Sequence, residues 1–213
     1  MNRPVALVDY GSGNIFSVTR ALETQGASVT LADSPAAVRN ADRLVVPGVG
    51  AFATGMGGLR ERGLADAIVA FARRERPLLG ICLGMQMLFE HSHEFGEHAG
   101  LGILEGEVRA IEPADSDGKA LKVPHIGWSP MQPANGRTWK DTILEDLSPG
   151  VSAYFVHSFT AVPAHEETRL ADAWYGSSRI AAAVQRGHVA GCQFHPEKSA
   201  VDGLAILRRF LEM

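Results

Sequence analysis

The stretch Leu78-Leu-Gly-Ile-Cys82-Leu-Gly84-Met-Gln-Met-Leu-Phe-Glu90 indicates a short buried strand that passes directly into a helix. A cysteine between two glycines at such a joint matches the nucleophile elbow of α/β hydrolases, where the glycines permit close backbone packing. The N-terminus of the following helix favours a thiolate at this position. We therefore predict that Cys82 is an exposed nucleophile, whereas Cys192, in another apolar run, is expected to pack in the core.

Strands and helices alternate on both sides of this joint. Strands are predicted at 4–9, 28–31 and 42–47, and helices at 15–25, 55–73 and 84–91. This alternation is typical of a parallel sheet covered by helices. Further on, short β-rich runs are predicted at 101–111, 153–162, 170–175, 180–185 and 189–194, with a closing helix at 202–211.

The pattern as a whole predicts an α/β fold. We expect an open, mostly parallel sheet with helices on both faces and an antiparallel extension, built as one domain over residues 1–213. Polar stretches at 113–119 and 133–142 are predicted to be surface loops.

Composition excludes several classes of protein. The chain has 213 residues, is 46% hydrophobic and has a formal net charge of −4, without a block of basic residues, so nucleic acid is not expected as a partner. No run approaches the roughly 18 apolar residues that span a membrane, and no signal peptide is expected. Only two cysteines argue against a disulfide framework and favour the cytoplasm.

A histidine and a glutamate near the end of the chain complete a candidate catalytic set. In the segment Cys192-Gln-Phe-His195-Pro-Glu197 we expect a strand that ends in an extended stretch, where a spacing of two places both side chains on one face. Cys82, His195 and Glu197 then form a nucleophile, a base and an orienting carboxylate. A capping histidine and a core cysteine are the structural alternatives for these residues taken singly.

Two glycine-containing loops follow predicted strands. Residues 11–16, Gly-Ser-Gly-Asn-Ile-Phe, begin like a dinucleotide-binding fingerprint, but Phe16 replaces its last glycine, so we reject a dinucleotide site and expect no cofactor. Residues 47–52, Pro-Gly-Val-Gly-Ala-Phe, free the backbone to aim N–H groups at a ligand. We predict an oxyanion hole formed by the backbone N–H groups of Val49 and Leu83. A plain turn is the alternative for each loop.

The segment His91-Ser-His93-Glu94, with His98 nearby, is the one candidate for a metal site. No second cluster of ligands follows it in the sequence, so we interpret it as a solvated segment and predict no metal.

These motifs together resemble the class I glutamine amidotransferases, which hydrolyse glutamine to glutamate and ammonia with a Cys-His-Glu triad. The similarity runs from the first strand to the last helix, and it resembles most closely the glutaminase subunits of imidazole glycerol phosphate synthase, of histidine biosynthesis. The segments that carry it are Asp9-Tyr-Gly-Ser-Gly-Asn-Ile15, Pro47-Gly-Val-Gly-Ala-Phe52, Gly80-Ile-Cys-Leu-Gly-Met-Gln86, Pro124-His-Ile-Gly-Trp128, Tyr154-Phe-Val-His-Ser-Phe159 and Gln193-Phe-His-Pro-Glu-Lys-Ser199.

The resemblance implies further site residues. Gln86, one helical turn after Cys82, would hold the amino-acid end of the substrate together with backbone groups of Gly48, Gly50, Ser158 and Phe159. The residues implied to face a partner subunit are Gly11, Ser12, Gly13, Asn14, Tyr154 and Lys198.

The partner implied by the resemblance is a (β/α)₈-barrel cyclase, joined to this chain as a heterodimer. It would receive ammonia through an internal channel and make imidazole glycerol phosphate and an aminoimidazole carboxamide ribonucleotide. The chain itself has room after Glu197 for only one more helix, so we expect the acceptor chemistry on a second polypeptide. The alternatives are the glutaminase subunit of another synthase such as that of pyridoxal phosphate, a non-catalytic binding subunit, or a cysteine peptidase or γ-glutamyl hydrolase on a related fold.

Overall fold

The computed structural model describes residues 3–112, 114, 117–118 and 120–213. Its helices are α1 Ile15–Thr24, α2 Pro35–Asn40, α3 Phe52–Glu61, α4 Leu64–Ala72, α5 Leu83–Met87 and α6 Ala200–Glu212, with 3₁₀ turns at Ala134–Gly136, Glu166–Thr168 and Pro196–Lys198. Its strands are β1 Arg3–Val8, β2 Ala27–Ala32, β3 Leu44–Val46, β4 Leu78–Ile81, β5 His91–Ser92, β6 His98–Ala99, β7 Gly106–Ala110, β8 His125–Pro130, β9 Gln132–Pro133, β10 Ser152–His157, β11 Phe159–Pro163, β12 Arg169–Tyr175, β13 Ser178–Arg186 and β14 Val189–Cys192.

The main sheet has eight strands in the order β2-β1-β3-β4-β14-β13-β12-β9. The first five strands of this order pair in parallel, and the remaining pairs are antiparallel. The predicted fold class, a mostly parallel sheet with an antiparallel extension, is therefore confirmed. One detail is wrong, since β14 was expected in the extension but pairs in parallel with β4.

Helices cover both faces of the main sheet and bury a separate core on each. Alternate residues of β1 divide between the two cores: Val5 and Leu7 face one, and Ala6 and Val8 face the other. Helices α1 and α6 close the first core, and α2 to α5 close the second. Burial on both faces explains why β1, β3 and β4 are continuous apolar runs.

Several predicted elements differ from the structure. The helix expected at 55–73 is two helices, because Gly63 at φ +67° separates α3 from α4. The helix expected at 84–91 ends at Met87, and His91 already belongs to a strand. The run 153–162 divides at Ser158 into β10, which pairs with β8, and β11, which pairs with β7 in a sheet of order β11-β7-β5-β6.

The structure bears differently on the two predicted surface loops. The stretch 113–119 lies partly outside the described residues. The stretch 133–142 is not wholly at the surface, because Trp139 is buried and its Nε1 donates to the Leu170 carbonyl at 3.1 Å. In the part of the chain that the structure describes, no helix is long and apolar enough to cross a membrane.

The carboxyl ends of four parallel strands meet at one edge of the main sheet. The loop after β1, the loop after β3, the joint between β4 and α5 and the segment after β14 all start there. Open parallel sheets bind their ligands at this edge. The sequence motifs around residues 11–14, 47–52, 82 and 195 are thereby brought to one place.

Candidate active site

Cys82 occupies a strained turn between β4 and α5. Its φ of 54° and ψ of −112° lie outside the conformations that non-glycine residues usually adopt. Such strain costs on the order of 1–3 kcal/mol and persists only where the surroundings enforce it. Here the Cys82 N–H donates to the Cys192 carbonyl at 2.7 Å, which fixes the turn to β14. The predicted strained turn is present, but the expected exposure of Cys82 is wrong. Its neighbours in the core leave the residue only 7% accessible, although it still lines a cleft.

The two glycines that flank Cys82 are required by close packing. A Cβ on Gly84 would lie 1.8 Å from the Val46 carbonyl oxygen, and a Cβ on Gly80 would lie 2.7 Å from the backbone of Met85. The helix α5 therefore presses against β3 at its first turn and folds back over β4. Only glycine permits this approach, which is the physical basis of the Gly-x-Cys-x-Gly pattern.

His195 and Glu197 form a buried pair beside Cys82. The imidazole Nδ1 lies 2.8 Å from Glu197 Oε1, and both side chains are almost completely inaccessible to solvent. The expected extended segment is wrong in detail: β14 ends at Cys192, and Glu197 lies in the 3₁₀ turn Pro196–Lys198. The proline starts this turn, and the turn brings the carboxylate under the ring.

The environment of His195 favours its protonated form. Burial lowers the pKa of this imidazole, but hydrogen bonds to Cys82 and Glu197 and the negative charge of both groups outweigh burial and raise the pKa to about 9. A proton held by His195 at neutral pH is what a thiolate at Cys82 requires.

The loop at residues 11–14, expected only at a partner interface, also contacts the site. Asn14 Nδ2 donates to Glu197 Oε1 at 3.3 Å, and Ser12 Oγ donates to the Val49 carbonyl at 3.1 Å. One loop is therefore attached both to the predicted triad and to the predicted oxyanion loop. Phe16, which stands in place of the last glycine of the dinucleotide-binding fingerprint, is exposed on α1.

The predicted oxyanion loop, residues 47–52, lies directly against the elbow. A Cβ on Gly48 would be 2.8 Å from the Gly84 nitrogen and from the Leu83 side chain, so the loop and the start of α5 touch. Gly50 has a φ of +93°, and Val49 is partly exposed. Among the described residues, the N–H groups of Val49 and Leu83 donate no hydrogen bond. Both donors are free for a ligand.

A cleft of about 310 Å³ contains most of the predicted site. It brings together Val49, Gly50, Cys82, Leu83, Gln86, Glu94, Pro124, Val156, His157, Ser158, Phe159, His195 and Lys198. Glu197 lies behind His195 rather than in the cleft wall, and Gly48 supports the loop from below. Tyr154 and residues 11–14 lie outside the cleft lining.

Gln86 is fixed in the wall of the cleft. Its Nε2 donates to the Phe159 carbonyl at 2.9 Å and to Gln193 Oε1 at 3.0 Å. Both amide hydrogens are used, so the carbonyl oxygen is the atom of this side chain that remains to accept a hydrogen bond from a ligand.

Of the cleft residues to which the sequence analysis gave no role, two have polar side chains. Glu94 lines the cleft, and its carboxylate accepts a hydrogen bond from the Phe52 N–H at the start of α3. His157 lines the cleft as well, and its Nδ1 donates to the Phe159 carbonyl at 2.8 Å. Both residues stand in segments that the sequence analysis quoted, but it gave neither of them a role beside Cys82. Only the pairing of distant segments places them here.

His157 is held neutral within a buried chain of hydrogen bonds. Its Nε2 accepts from His125 Nδ1 at 3.1 Å, and His125 Nε2 accepts from Ser129 Oγ at 2.9 Å. Burial lowers the pKa of His157 to about 4, against a smaller opposing effect of its bond to the Phe159 carbonyl. A neutral relay of this kind fixes the segment 157–159 without adding charge beside His195.

Comparison with known proteins identifies the family. Residues 6–213 match the family Glutamine amidotransferase class-I. A crystal structure described as a glutamine amidotransferase superposes with a TM-score of 0.71 over 97% of both chains, at 21% identity, and shows the same fold. The chain therefore belongs to the class I glutamine amidotransferases, as the sequence predicted.

Closer relatives narrow this assignment. The chain is 47% identical to the imidazole glycerol phosphate synthase subunit HisH 1 of Legionella pneumophila (strain Lens), over 98% of this chain and 99% of that one. It is 45% identical to the corresponding subunit HisH of Gloeobacter violaceus, over 98% of this chain and 88% of the relative. Within its class, the chain belongs to the HisH subunits of imidazole glycerol phosphate synthase.

Proposed function

We propose that this chain is the glutaminase subunit of imidazole glycerol phosphate synthase and hydrolyses glutamine through Cys82, His195 and Glu197. The observation that carries the proposal is the strained elbow, which presents Cys82 to an imidazole whose other nitrogen is bonded to a buried carboxylate. Membership of the class I glutamine amidotransferases makes glutamine the substrate.

The reaction proceeds in two halves. The Cys82 thiolate adds to the side-chain amide carbon of glutamine, after its proton has passed to His195. The imidazolium returns that proton to the amide nitrogen, the C–N bond breaks, and ammonia leaves a γ-glutamyl thioester. Water, deprotonated by His195, then adds to the thioester carbon, the C–S bond breaks, and glutamate is released. Glu197 holds the ring and stabilises its charged form throughout.

Backbone groups of the cleft support the reacting atoms. The N–H groups of Val49 and Leu83 donate to the oxygen that becomes negative when the thiolate adds. Gly48 packs the loop against α5, and Gly50 together with Ser158 and Phe159 surrounds the amino-acid end of glutamine.

Side chains of the cleft complete the recognition of glutamine. Glu94 supplies a carboxylate for the substrate's ammonium group, and the Gln86 carbonyl oxygen accepts a further hydrogen bond.

Trapping of the thioester tests this mechanism. Glutamine mixed with the chain and quenched in acid should leave a γ-glutamyl adduct on the peptide that contains Cys82, detected by mass spectrometry. The matched control is Cys192→Ala, which alters the buried cysteine of the core and should leave the adduct in place. An adduct on Cys192, or none in a folded chain that turns over glutamine, would contradict the assigned nucleophile. Absence of turnover even in the complex with the partner subunit would favour a non-catalytic binding subunit.

The relatives are named as subunits, so the chain works in a complex with a partner subunit. We propose that this partner is a (β/α)₈-barrel cyclase that takes the ammonia. An apolar surface beside the cleft supports a protein partner: Phe16, Ile126, Trp128 and Val201 are each more than half exposed. It adjoins the residues expected at the interface, because Trp128 contacts Tyr154, and Val201 at the start of α6 closely follows Lys198 in the chain.

Association with the cyclase has a direct test. Trp128→Ser and Val201→Ser should weaken binding of the purified barrel subunit in a calorimetric titration, while an equal change at Trp174, exposed on β12 away from the cleft lining, should not. The compound that the reconstituted complex makes then shows whether the chain serves imidazole glycerol phosphate synthase or another synthase. We further propose that residues 1–213 act as one glutamine amidotransferase domain and that the complex is a cytoplasmic heterodimer.

A further inference from the structure

Three metal-ligating side chains share one face of the small sheet. Strand β5 pairs in parallel with β7, and His91 lies opposite Glu107 in this register. The pairing continues one residue past β5, since the His93 N–H donates to the Val108 carbonyl at 3.0 Å. Because side chains alternate along such a segment, His91 and His93 project to one face while the buried Ser92 projects to the other. Glu107 projects beside the histidines, and Val108 next to it is buried in the core.

The ligand atoms are already close together. His93 Nε2 lies 2.7 Å and His91 Nε2 lies 3.6 Å from the same oxygen of Glu107, and all three atoms lie within 4.8 Å of one another. Ligands of a tetrahedral zinc ion, bound at about 2.0–2.1 Å, are separated by about 3.3 Å. Small rotations of the two rings would bring the three atoms to that separation.

Access and chemistry also fit a metal ion. The side chains of His91 and His93 are about two-fifths exposed and that of Glu107 about one-fifth, which leaves one side of the cluster open to water. Two imidazoles and a carboxylate are ligands that suit zinc and related transition metals rather than magnesium or calcium. Arg109 opposes the binding of a cation, because its positively charged guanidinium contacts the other oxygen of Glu107 at 2.5 Å.

We propose that His91, His93 and Glu107 bind a zinc-class transition-metal ion, with water as the fourth ligand. The site is separate from the glutamine cleft, whose lining contains none of the three residues. An ion here would cross-link β5 to β7 and stabilise the small sheet. The sequence predicted no metal, because no second group of ligands follows His91 and His93. In the fold, the third ligand is a single residue, Glu107, which strand pairing brings next to the two histidines.

The test is a calorimetric titration of the full, tag-free chain with Zn²⁺. It is made in the Cys82→Ala variant, because a thiolate beside His195 would itself bind zinc. We expect one equivalent of zinc to bind and to raise the unfolding temperature. His91→Ala and His93→Ala should each weaken binding at least about tenfold.

Matched variants make the result specific. His98 lies opposite Ser92 in the β5–β6 register, so it projects to the other face of the same sheet, and His98→Ala should leave zinc affinity unchanged. Arg109→Gln removes a cation from the site and should tighten binding by about three- to tenfold. The proposal is overturned if no zinc binds, if His98→Ala weakens binding as much as His93→Ala, or if the double variant of His91 and His93 keeps the affinity.

Discussion

At the scale of single residues, Gly84 shows how tightly the elbow constrains the chain. A Cβ at this position would overlap the Val46 carbonyl oxygen at 1.8 Å, and backbone cannot move as a side chain can. We expect Gly84→Ala to destabilise the fold by at least about 1–3 kcal/mol. Gly57, also in a helix but with open space around it, provides the control, since Gly57→Ala should be neutral or stabilising by up to about 1 kcal/mol. Unfolding in denaturant measures the change in stability for both variants. Equal changes for Gly84→Ala and Gly57→Ala would contradict the close contact between Gly84 and the Val46 carbonyl.

Because of His157, the free energy of unfolding should decrease as the pH falls. Its pKa of about 4 in the folded chain lies below its ordinary value of 6.5, so the unfolded state binds the extra proton first as the pH falls. Stability should therefore be lost between about pH 6.5 and 4, by on the order of 3 kcal/mol from this group. His157→Gln should reduce the slope of unfolding free energy against pH in that window. An unchanged slope in a folded variant would mean that the imidazole is not held neutral.

At this scale the sequence was sufficient to predict that Cys82, His195 and Glu197 lie together, but not to predict the contacts that support them. Cys82, His195 and Glu197 stand in short motifs whose residue types indicate their chemistry. Glu94 and the His125–His157 pair depend on contacts between segments far apart in sequence. A single sequence contains no signal for such contacts.

At the scale of elements, the loop at residues 11–14 is joined to the predicted oxyanion loop. Ser12 Oγ donates to the Val49 carbonyl, and one hydrogen bond of this kind contributes about 0.5–1.5 kcal/mol. We expect this bond to hold Val49 in a resting conformation until the partner binds to the loop. Ser12→Ala should then raise glutamine turnover by the isolated chain about two- to tenfold. The turnover of the isolated chain should thereby come closer to that of the complex.

Steady-state assays of chain and complex check this prediction. Ser17→Ala, one turn into α1, is the control, since no hydrogen bond from its hydroxyl is present among the described residues. A fall in turnover for Ser12→Ala would show instead that the bond holds Val49 ready for catalysis, and the loop would then be a preformed oxyanion hole.

Periodic elements were the predictable part of the fold. Helix α1 and strands β1 and β2 lie within two residues of their expected bounds, because their apolar spacing is regular. The failures occurred where an apolar run continues through a change of direction. Gly63 ends α3 without interrupting the hydrophobic pattern, and Ser158 separates two strands that belong to different sheets.

At the scale of the whole molecule, the sheet order explains why residues far apart in sequence act together. Strand β14 lies beside β4, so the segment that holds His195 and Glu197 starts next to Cys82. The exposed apolar residues around this edge face outward, where a partner subunit can cover the cleft. This arrangement supports the proposal that ammonia is made at this edge and passed to a partner subunit.

The decisive measurement separates the release of ammonia from glutamine from the use of that ammonia by the barrel subunit. In the complex with the barrel subunit, Cys82→Ala should abolish formation of imidazole glycerol phosphate from glutamine, because the thiolate is needed only to release ammonia. The same complex supplied with ammonium salts should form product at the rate of the unmodified complex. Loss of both activities in a folded, assembled complex would contradict the account, as would continued use of glutamine without the Cys82 thiol.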